Sequence, residues 1–146
     1  MALIYETPNF ILESHEKPEI DRLEGGHIKI SPKVDIEDRS KLTPKEAIEL
    51  MRLTIVVGIA MKKGMEKSGI NIGRINYQDN GNWRPHLHIH LYGRAVDAKI
   101  QKYGDPIISG NREEYNPLAF GDIKNITEEI ENQFKLEKFS NASWGF

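Results

Sequence analysis

Residues 86–92 read His-Leu-His-Ile-His-Leu-Tyr, an alternation of imidazole and aliphatic side chains that constrains the fold more than any other feature. Because successive side chains of a β-strand point to opposite faces, this pattern predicts a strand with His86, His88 and His90 on one face, about 6.5–7 Å apart. We expect the leucines and the isoleucine between them to enter a hydrophobic core. The chain should therefore contain a sheet with one packed face and one open face that carries imidazoles.

The rest of the chain predicts further strands and two helices. Hydrophobic periodicity predicts three more strands, at 10–13, 27–31 and 70–78. Pro32 should end the second of these strands. Residues 78–82, Gln-Asp-Asn-Gly-Asn, have a composition typical of turns and should lead from the third strand towards the histidines. Isoleucines and a phenylalanine at helical spacing predict an amphipathic helix from about 122 to 138.

The first helix has the clearest local signals. Thr43-Pro44-Lys45-Glu46 is a capping box with proline at the first helical position, so the helix should run from 44 to about 67 and stop near Gly69. Its apolar residues form two stripes, Ile48, Met51, Ile55 and Ile59, and Leu50, Leu53, Val57 and Ala60. A helix that is apolar on two sides is buried on two sides. One side should lie on the sheet, and the other should meet either a partner subunit or the C-terminal segment.

Length and composition predict a globular protein. The chain has 146 residues, 38% hydrophobic and 29% charged, and no apolar run reaches the roughly 18 residues of a membrane span. The N-terminus has no recognisable secretory signal, so we expect a cytoplasmic protein without membrane association. Short strands interrupted by long helices predict an α+β fold, with an antiparallel sheet of about five strands in a single domain over 1–146.

Composition also excludes several kinds of chemistry and partner. Cysteine is absent, which removes disulfides, thiolate catalysis and cysteine-based zinc sites. The net charge of −2 argues against a nucleic-acid-binding module, which normally has a strongly basic face.

The row of imidazoles has several interpretations. Three unrelated surface histidines are the first, although such a face normally carries Thr, Lys or Glu. A catalytic zinc ion, which takes three protein ligands and water, is the second, with Asp79 as the nearest carboxylate. Nucleophilic catalysis is the third, because imidazole, with a reference pKa of about 6.5, is mostly neutral at pH 7 and can attack phosphorus to form a phosphoramidate. A nucleotide-binding module without turnover would use the same face.

Residues 86–92 match the full His-φ-His-φ-His-φ-φ signature of the histidine triad superfamily, in which φ is a hydrophobic residue. Gly25-Gly26-His27-Ile28-Lys29-Ile30-Ser31-Pro32 resembles the Gly-His strand of that family. Leu42-Thr43-Pro44-Lys45-Glu46 resembles the start of its long helix, and residues 75–79 resemble its next strand. The resemblance covers about 8–94, and 95–146 form a C-terminal extension.

The resemblance implies a nucleotide hydrolase or transferase that acts at the α-phosphate. Carried over by position, His88 resembles the nucleophile that becomes nucleotidylated, and His90 resembles the residue that contacts phosphoryl oxygens and assists the leaving group. His86 and His27 resemble the supporting pair of the imidazole network. The family needs no redox cofactor, and the resemblance implies none here, with a nucleotide as the substrate. Family members usually form homodimers through the long helix and a neighbouring strand.

Four residues are candidates for substrate binding, two from the resemblance and two at positions that depart from it. Gln78 and Asn82 resemble the phosphate contacts of the family. Trp83 stands where the best-known branches carry a small hydroxyl residue. The rings of Trp83, Trp144 and Phe146 offer stacking surfaces for a base or leaving group, although we favour core or rim packing for each. His15 falls near the position where other branches hold the ribose with Asp or Asn, although we favour a surface position for it. The turn between Gln78 and His86 is shorter than in those branches.

Overall fold

The computed structural model describes residues 1–80, 84–108 and 112–146. Within them, five strands form an antiparallel sheet of order β1-β2-β3-β5-β4. The strands are β1 (Ala2–Glu6), β2 (Phe10–Ser14), β3 (His27–Pro32), β4 (Ile72–Gln78) and β5 (Ile89–Ala95). The helices are α1 (Pro44–Glu66) and α2 (Phe120–Phe134). Short 3-10 helices occupy Arg22–Glu24, Arg39–Lys41, Arg112–Glu114, Glu137–Phe139 and Ala142–Trp144. The predicted α+β class is confirmed.

One face of the sheet is packed and the other is open, as the alternation predicts. Fully buried residues of the packed face include Phe10, Leu12, Ile28, Ile30 and Leu91, which share a hydrophobic cluster with α1. Strands β2, β3 and β5 place apolar residues on this face at alternating positions. The open face therefore receives the intervening polar residues of β2, β3, β4 and β5.

Helix α1 begins and ends as the sequence predicts. The Thr43 hydroxyl accepts from the Glu46 backbone N–H, and the Glu46 carboxylate accepts from the Thr43 N–H, which completes the capping box. Gly69, with φ +81°, lies just beyond the helix end. The stripe of Leu50, Leu53, Val57 and Ala60 is buried. In the other stripe, Ile48, Met51 and Ile55 stay 38%, 57% and 37% exposed.

The C-terminal segment packs on a different side of α1 from the exposed stripe. Gly64 of α1 lies so close to Ile126 of α2 that a Cβ there would meet its side chain and backbone. The Arg52 guanidinium donates to the Asn141 side chain at 2.9 Å and lies 4.8 Å from the Phe146 ring centroid. The C-terminal segment is therefore not the cover of the exposed stripe.

Several elements differ from the sequence predictions. The last strand begins at Ile89 rather than at residue 86, because Leu87 pairs with the Ile36 carbonyl (2.8 Å), outside the sheet. Helix α2 spans Phe120–Phe134 rather than 122–138, since a separate 3-10 turn follows it. Strand β1 was not predicted individually, because its five residues lack a clear alternation. No helix among the described residues has the length and apolar character needed to cross a bilayer.

Candidate active site

All five histidines of the chain lie on the open face, in a continuous series of ring contacts. In order of contact they are His86, His88, His90, His27 and His15. Successive ring centroids are 4.9, 6.2, 5.1 and 4.5 Å apart. The structure thus brings together all four histidines predicted to be catalytic, from two strands and from the extended segment that precedes β5.

Two glycines let the strands that carry these rings approach each other. Gly25 has φ +130°, and a Cβ on it would collide with the Gly93 carbonyl of β5. This close approach places His27 directly opposite Tyr92 and Lys29 opposite His90 in the β3–β5 register. The Gly-Gly-His motif therefore has a geometric function, which is to deliver His27 to the side of the triad.

Hydrogen bonds determine which nitrogen of each buried ring carries the proton. The Glu19 backbone N–H donates to His27 Nδ1 at 3.2 Å, so that nitrogen is unprotonated. His27 is 2% exposed, and its Nε2 lies 2.9 Å from His90 Nδ1. His27 Nε2–H must then donate to His90 Nδ1, which leaves the proton of a neutral His90 on Nε2. His90 therefore presents a single N–H donor.

A carboxylate orients the histidine at the other end of the row. His86 Nδ1 lies 2.9 Å from Asp35 Oδ1, and Asp35 is at the surface. The carboxylate only accepts, so His86 donates from Nδ1, and its other nitrogen remains for a ligand or for His88. The His86 and His88 rings meet edge to face at 70°.

His88, the middle histidine of the three at 86–90, is held in its neutral form. Burial is the largest cause, and together with the charges of Lys29, His86, His90 and Arg84 it lowers the pKa of His88 to about 4. A neutral imidazole has a lone pair that can attack an electrophile at pH 7. This position therefore combines the nucleophilic charge state with an N–H donor on His90 and a second oriented imidazole on His86.

The structure places His15 differently from the surface position that we favoured. The ring is half-buried and stacks on His27, with an interplanar angle of 14°. Its Nδ1 accepts the Lys17 backbone N–H at 3.2 Å. His15 is brought to the site because it follows β2 directly, next to the strand that carries His27.

The other predicted substrate contacts have mixed outcomes. Gln78 lies opposite His90 in the β4–β5 register and is half-buried, so it faces the imidazole row. Asn82 and Trp83 lie outside the described residues. At the C-terminus, Trp144 stacks against Phe139 and Phe146 lies beneath Arg52, so both aromatics pack beside the helices rather than on the open face.

Sequence reasoning missed three groups of this site. Asp35 follows β3 in a loop, and its distance of 51 residues from His86 left no local signal. The Glu19 amide is a backbone group and is invisible in a sequence. Lys29 was predictable, because it shares the alternating face with His27, and its charge lowers the pKa of His88.

Metal binding is not favoured by the arrangement of donors. Among the described parts of the chain, no group of three or more His, Asp or Glu side chains has a geometry that would hold a metal ion. His27 Nε2 and His90 Nδ1 face each other, so one lone pair is already used within the protein.

Comparison with known proteins yields a family and a fold. A family model described as the HIT domain matches residues 1–96. No curated protein sequence matches the chain. Among solved structures, one similar protein is the hypothetical histidine triad nucleotide-binding protein ST2152 from Sulfolobus tokodaii strain 7. It has a TM-score of 0.63 and 21% identity, over 90% of this chain and 85% of that one.

Two further solved structures share the fold. A zinc-bound histidine triad family protein from Mycobacterium smegmatis has a TM-score of 0.55 and 18% identity, over 91% of this chain and 86% of that one. A HIT family hydrolase from Clostridium thermocellum has a TM-score of 0.50 and 23% identity, over 73% of this chain and 85% of that one.

Proposed function

The chain belongs to the histidine triad (HIT) family, and on that premise we propose that it is a nucleotide hydrolase that releases a nucleoside monophosphate through a covalent intermediate on His88. The observation that carries this proposal is the neutral form of His88. Burial and neighbouring cations lower the pKa of His88 to about 4, so its ring is neutral at pH 7 beside two oriented imidazoles.

In the first step a ring nitrogen of His88 attacks the α-phosphorus. An N–P bond forms while the bond from phosphorus to the leaving group breaks, and the leaving group takes a proton from solvent. His90 donates its Nε2–H to the charge that develops on the phosphoryl oxygens and the leaving group. The hydrogen bonds from Glu19 to His27 and from His27 to His90 keep this donor in place.

In the second step water attacks the phosphoramidate. The new P–O bond replaces the N–P bond, one water proton returns to solvent, and His88 is restored. The sum of the two steps is hydrolysis to a nucleoside monophosphate and the protonated leaving group. All groups in this scheme are imidazoles, amides and water, so the proposal includes no cofactor.

Four further residues are assigned to substrate binding in this proposal. Gln78, Asn82 and Trp83 would contact the phosphate and the leaving group, and His15 would border the ribose. His86, held by Asp35 at 2.9 Å, would donate from its other nitrogen to the phosphoryl oxygens when protonated there. The substrate is a nucleoside monophosphate that carries an amine, as in a phosphoramidate, or a second nucleotide, as in a dinucleoside polyphosphate.

The proposal is tested by trapping the intermediate. Wild-type protein is mixed with AMP and GMP phosphoramidates or with dinucleoside tri- and tetraphosphates, quenched with base, and searched by mass spectrometry for an acid-labile nucleotidyl adduct. We expect the adduct on His88, and we expect His88→Ala to abolish turnover while nucleotide affinity stays nearly unchanged. His86→Ala is the matched variant, which should be slower but should still form the adduct.

Three outcomes would contradict a metal-independent hydrolase in which His88 is the nucleophile. Nucleotide binding without turnover or adduct in the wild type would leave a binding module. Turnover by His88→Ala at the wild-type rate would move the nucleophile elsewhere. Activity that is lost on full demetallation and restored by zinc would support a zinc-dependent hydrolase that uses the same histidines.

We also propose that the protein is a homodimer, formed through α1 and β4. Two residues of the exposed stripe, Met51 and Ile55, lie beside Tyr77, which is 51% exposed. With Leu42 they line a mainly apolar groove of about 510 Å³. Strand β4 is an edge of the sheet, with one side unpaired by any described strand. A second copy of the chain would cover both surfaces.

A further inference from the structure

A second cavity opens on the same face of the sheet, away from the histidines. It has a volume of about 530 Å³ and is lined by residues of β4, β5 and the segment after β5. The lining residues are Arg74, Asn76, Arg94, Tyr103, Gly104, Asp105 and Pro106. Cavities of this size hold small-molecule ligands.

Arg94 is a buried cation at the base of this cavity. It is 4% exposed, and its guanidinium donates to the Asn76 side chain at 2.6 Å and to the carbonyls of Lys102 and Asp105 at 2.8 Å each. Its Nε is buried and has no hydrogen-bond partner among the described residues. Within that same part of the chain, Arg94 belongs to none of the ion pairs closer than 4.0 Å. Burying an uncompensated charge is costly.

A second arginine adds to this positive charge. Arg74 lies directly opposite Arg94 in the β4–β5 register, and like charges in that position are destabilising. Among the described residues of the lining, Asp105 is the one acidic residue, and it accepts from Arg94 through its backbone carbonyl. Two arginines against one aspartate leave the cavity with a net positive charge.

The polar atoms of the cavity are mainly hydrogen-bond donors. The oxygen of the Asn76 amide accepts from Arg94, so the NH₂ group of Asn76 remains as a donor. Arg74 and Arg94 have only donors, and the Tyr103 hydroxyl can donate as well. A set of charged and neutral donors around one space is the chemistry that binds phosphate and carboxylate groups.

We propose that Arg74, Asn76, Arg94 and Tyr103 form a second ligand site, which binds a phosphate or carboxylate oxyanion. Arg94 follows His90 by four residues of β5, which places the site about 14 Å from the catalytic row. The oxyanion is therefore either a charged group at the far end of a long substrate or a separate small anion. The site does not depend on the proposed hydrolase, because its binding is measurable without turnover.

The experiment is a titration of ¹⁵N-labelled full-length protein with inorganic phosphate, against sodium chloride of equal ionic strength, followed by NMR. We expect saturable shifts of the Gly104 backbone amide and the Asn76 side-chain amide. Arg74→Gln, which changes an exposed residue, should weaken binding at these signals about tenfold or more, since a hydrogen bond to a charged group contributes roughly 1.5–3 kcal/mol. The matched variant is Lys102→Gln, a charge nearby but outside the lining, which should bind as the wild type does.

Repeating the titration with acetate distinguishes the two anions, and kinetics distinguish their source. A rise in KM for Arg74→Gln with substrates that carry a distal anion, but not with short phosphoramidates, assigns the site to the substrate. An unchanged KM for both assigns it to a free anion. The proposal is overturned if neither phosphate nor acetate gives saturable shifts at Gly104 and Asn76, or if Arg74→Gln binds as tightly as Lys102→Gln.

Discussion

The charge state of one imidazole, that of His88, decides whether the row of histidines can act as a nucleophile. His27 accepts from a backbone N–H and His86 pairs with a carboxylate, whereas His88 is partly buried and lies near the charges of Lys29 and Arg84. Burial therefore dominates the shift of its pKa to about 4, and the charge of Lys29 adds to it. The lone pair that the proposed chemistry needs is available over the whole neutral range of pH.

We predict that His88 stays neutral when the pH falls to 5.5, where an unperturbed histidine would be about 90% protonated. Ring ¹⁵N or ¹³C NMR shifts report this directly. Because the pKa of His88 is lower in the folded protein than in the unfolded chain, the unfolded chain takes up this proton first. The contribution of His88 to stability is therefore lost as the pH falls from about 6.5 to about 4.

Lys29→Gln tests one cause of the lowered pKa of His88, the charge of Lys29. Removal of that charge should raise the pKa of His88 towards its usual value, because the Lys29 ammonium disfavours a second cation nearby. Lys33→Gln, on the same segment but paired with Glu6 (3.9 Å), should leave the titration unchanged. Equal titrations of His88 in both variants would contradict the assignment to Lys29.

At the scale of elements, Asp122 joins three parts of the chain. Its carboxylate is 1% exposed and accepts two hydrogen bonds from the Arg22 guanidinium, at 2.7 and 3.0 Å. It also accepts from Ser68, just beyond α1, and from the Ala119 N–H at the start of α2. Burial raises the pKa of Asp122, but these hydrogen bonds outweigh it and hold the pKa below the usual range. The C-terminal segment is thereby tied to the region matched by the family.

We predict that Asp122→Asn lowers the free energy of unfolding by about 2 kcal/mol, since it removes a charged acceptor from a buried network. Urea denaturation monitored by circular dichroism measures the change. Asp97→Asn, at an exposed position, is the matched substitution and should stay within about 0.5 kcal/mol of the wild type. A loss of stability that is the same in both variants would show that the network contributes little.

At the scale of the whole molecule, the exposed stripe of α1 would be covered only in the proposed dimer. Met51, Ile55 and Tyr77 together form an apolar surface next to the free edge of β4. Gly58 lets the Tyr77 side chain lie against α1, since a Cβ there would collide with the Tyr77 hydroxyl. The surface is thus continuous from helix to strand, as a two-fold interface requires.

We predict that the wild type elutes as a dimer in size-exclusion chromatography with light scattering, and that Met51→Glu yields monomers, because a buried charge in an apolar interface is costly. Leu23→Glu, at a position that is 62% exposed and away from α1, is the control and should remain dimeric. A wild-type monomer at micromolar concentration would overturn the proposed assembly.

Local patterns in the sequence were enough to predict the two-faced sheet and the long helix. The alternation over 86–92 assigns Leu87, Ile89 and Leu91 to the core whatever surrounds them, because adjacent side chains of an extended segment point in opposite directions. The capping box acts within four residues, so the start of α1 was predictable from those residues alone. The signature of alternating histidines belongs to this local class as well.

Tertiary structure alone decided what depends on contacts between distant residues. The proton on His90 is placed by an amide 71 residues earlier, at Glu19, through His27. Asp35 reaches His86, and Arg74 meets Arg94, only because of the path of the loops and the strand order. A sequence determines locally which side chains can share a face, but the charge and protonation state of each group depend on the partners that folding places around it.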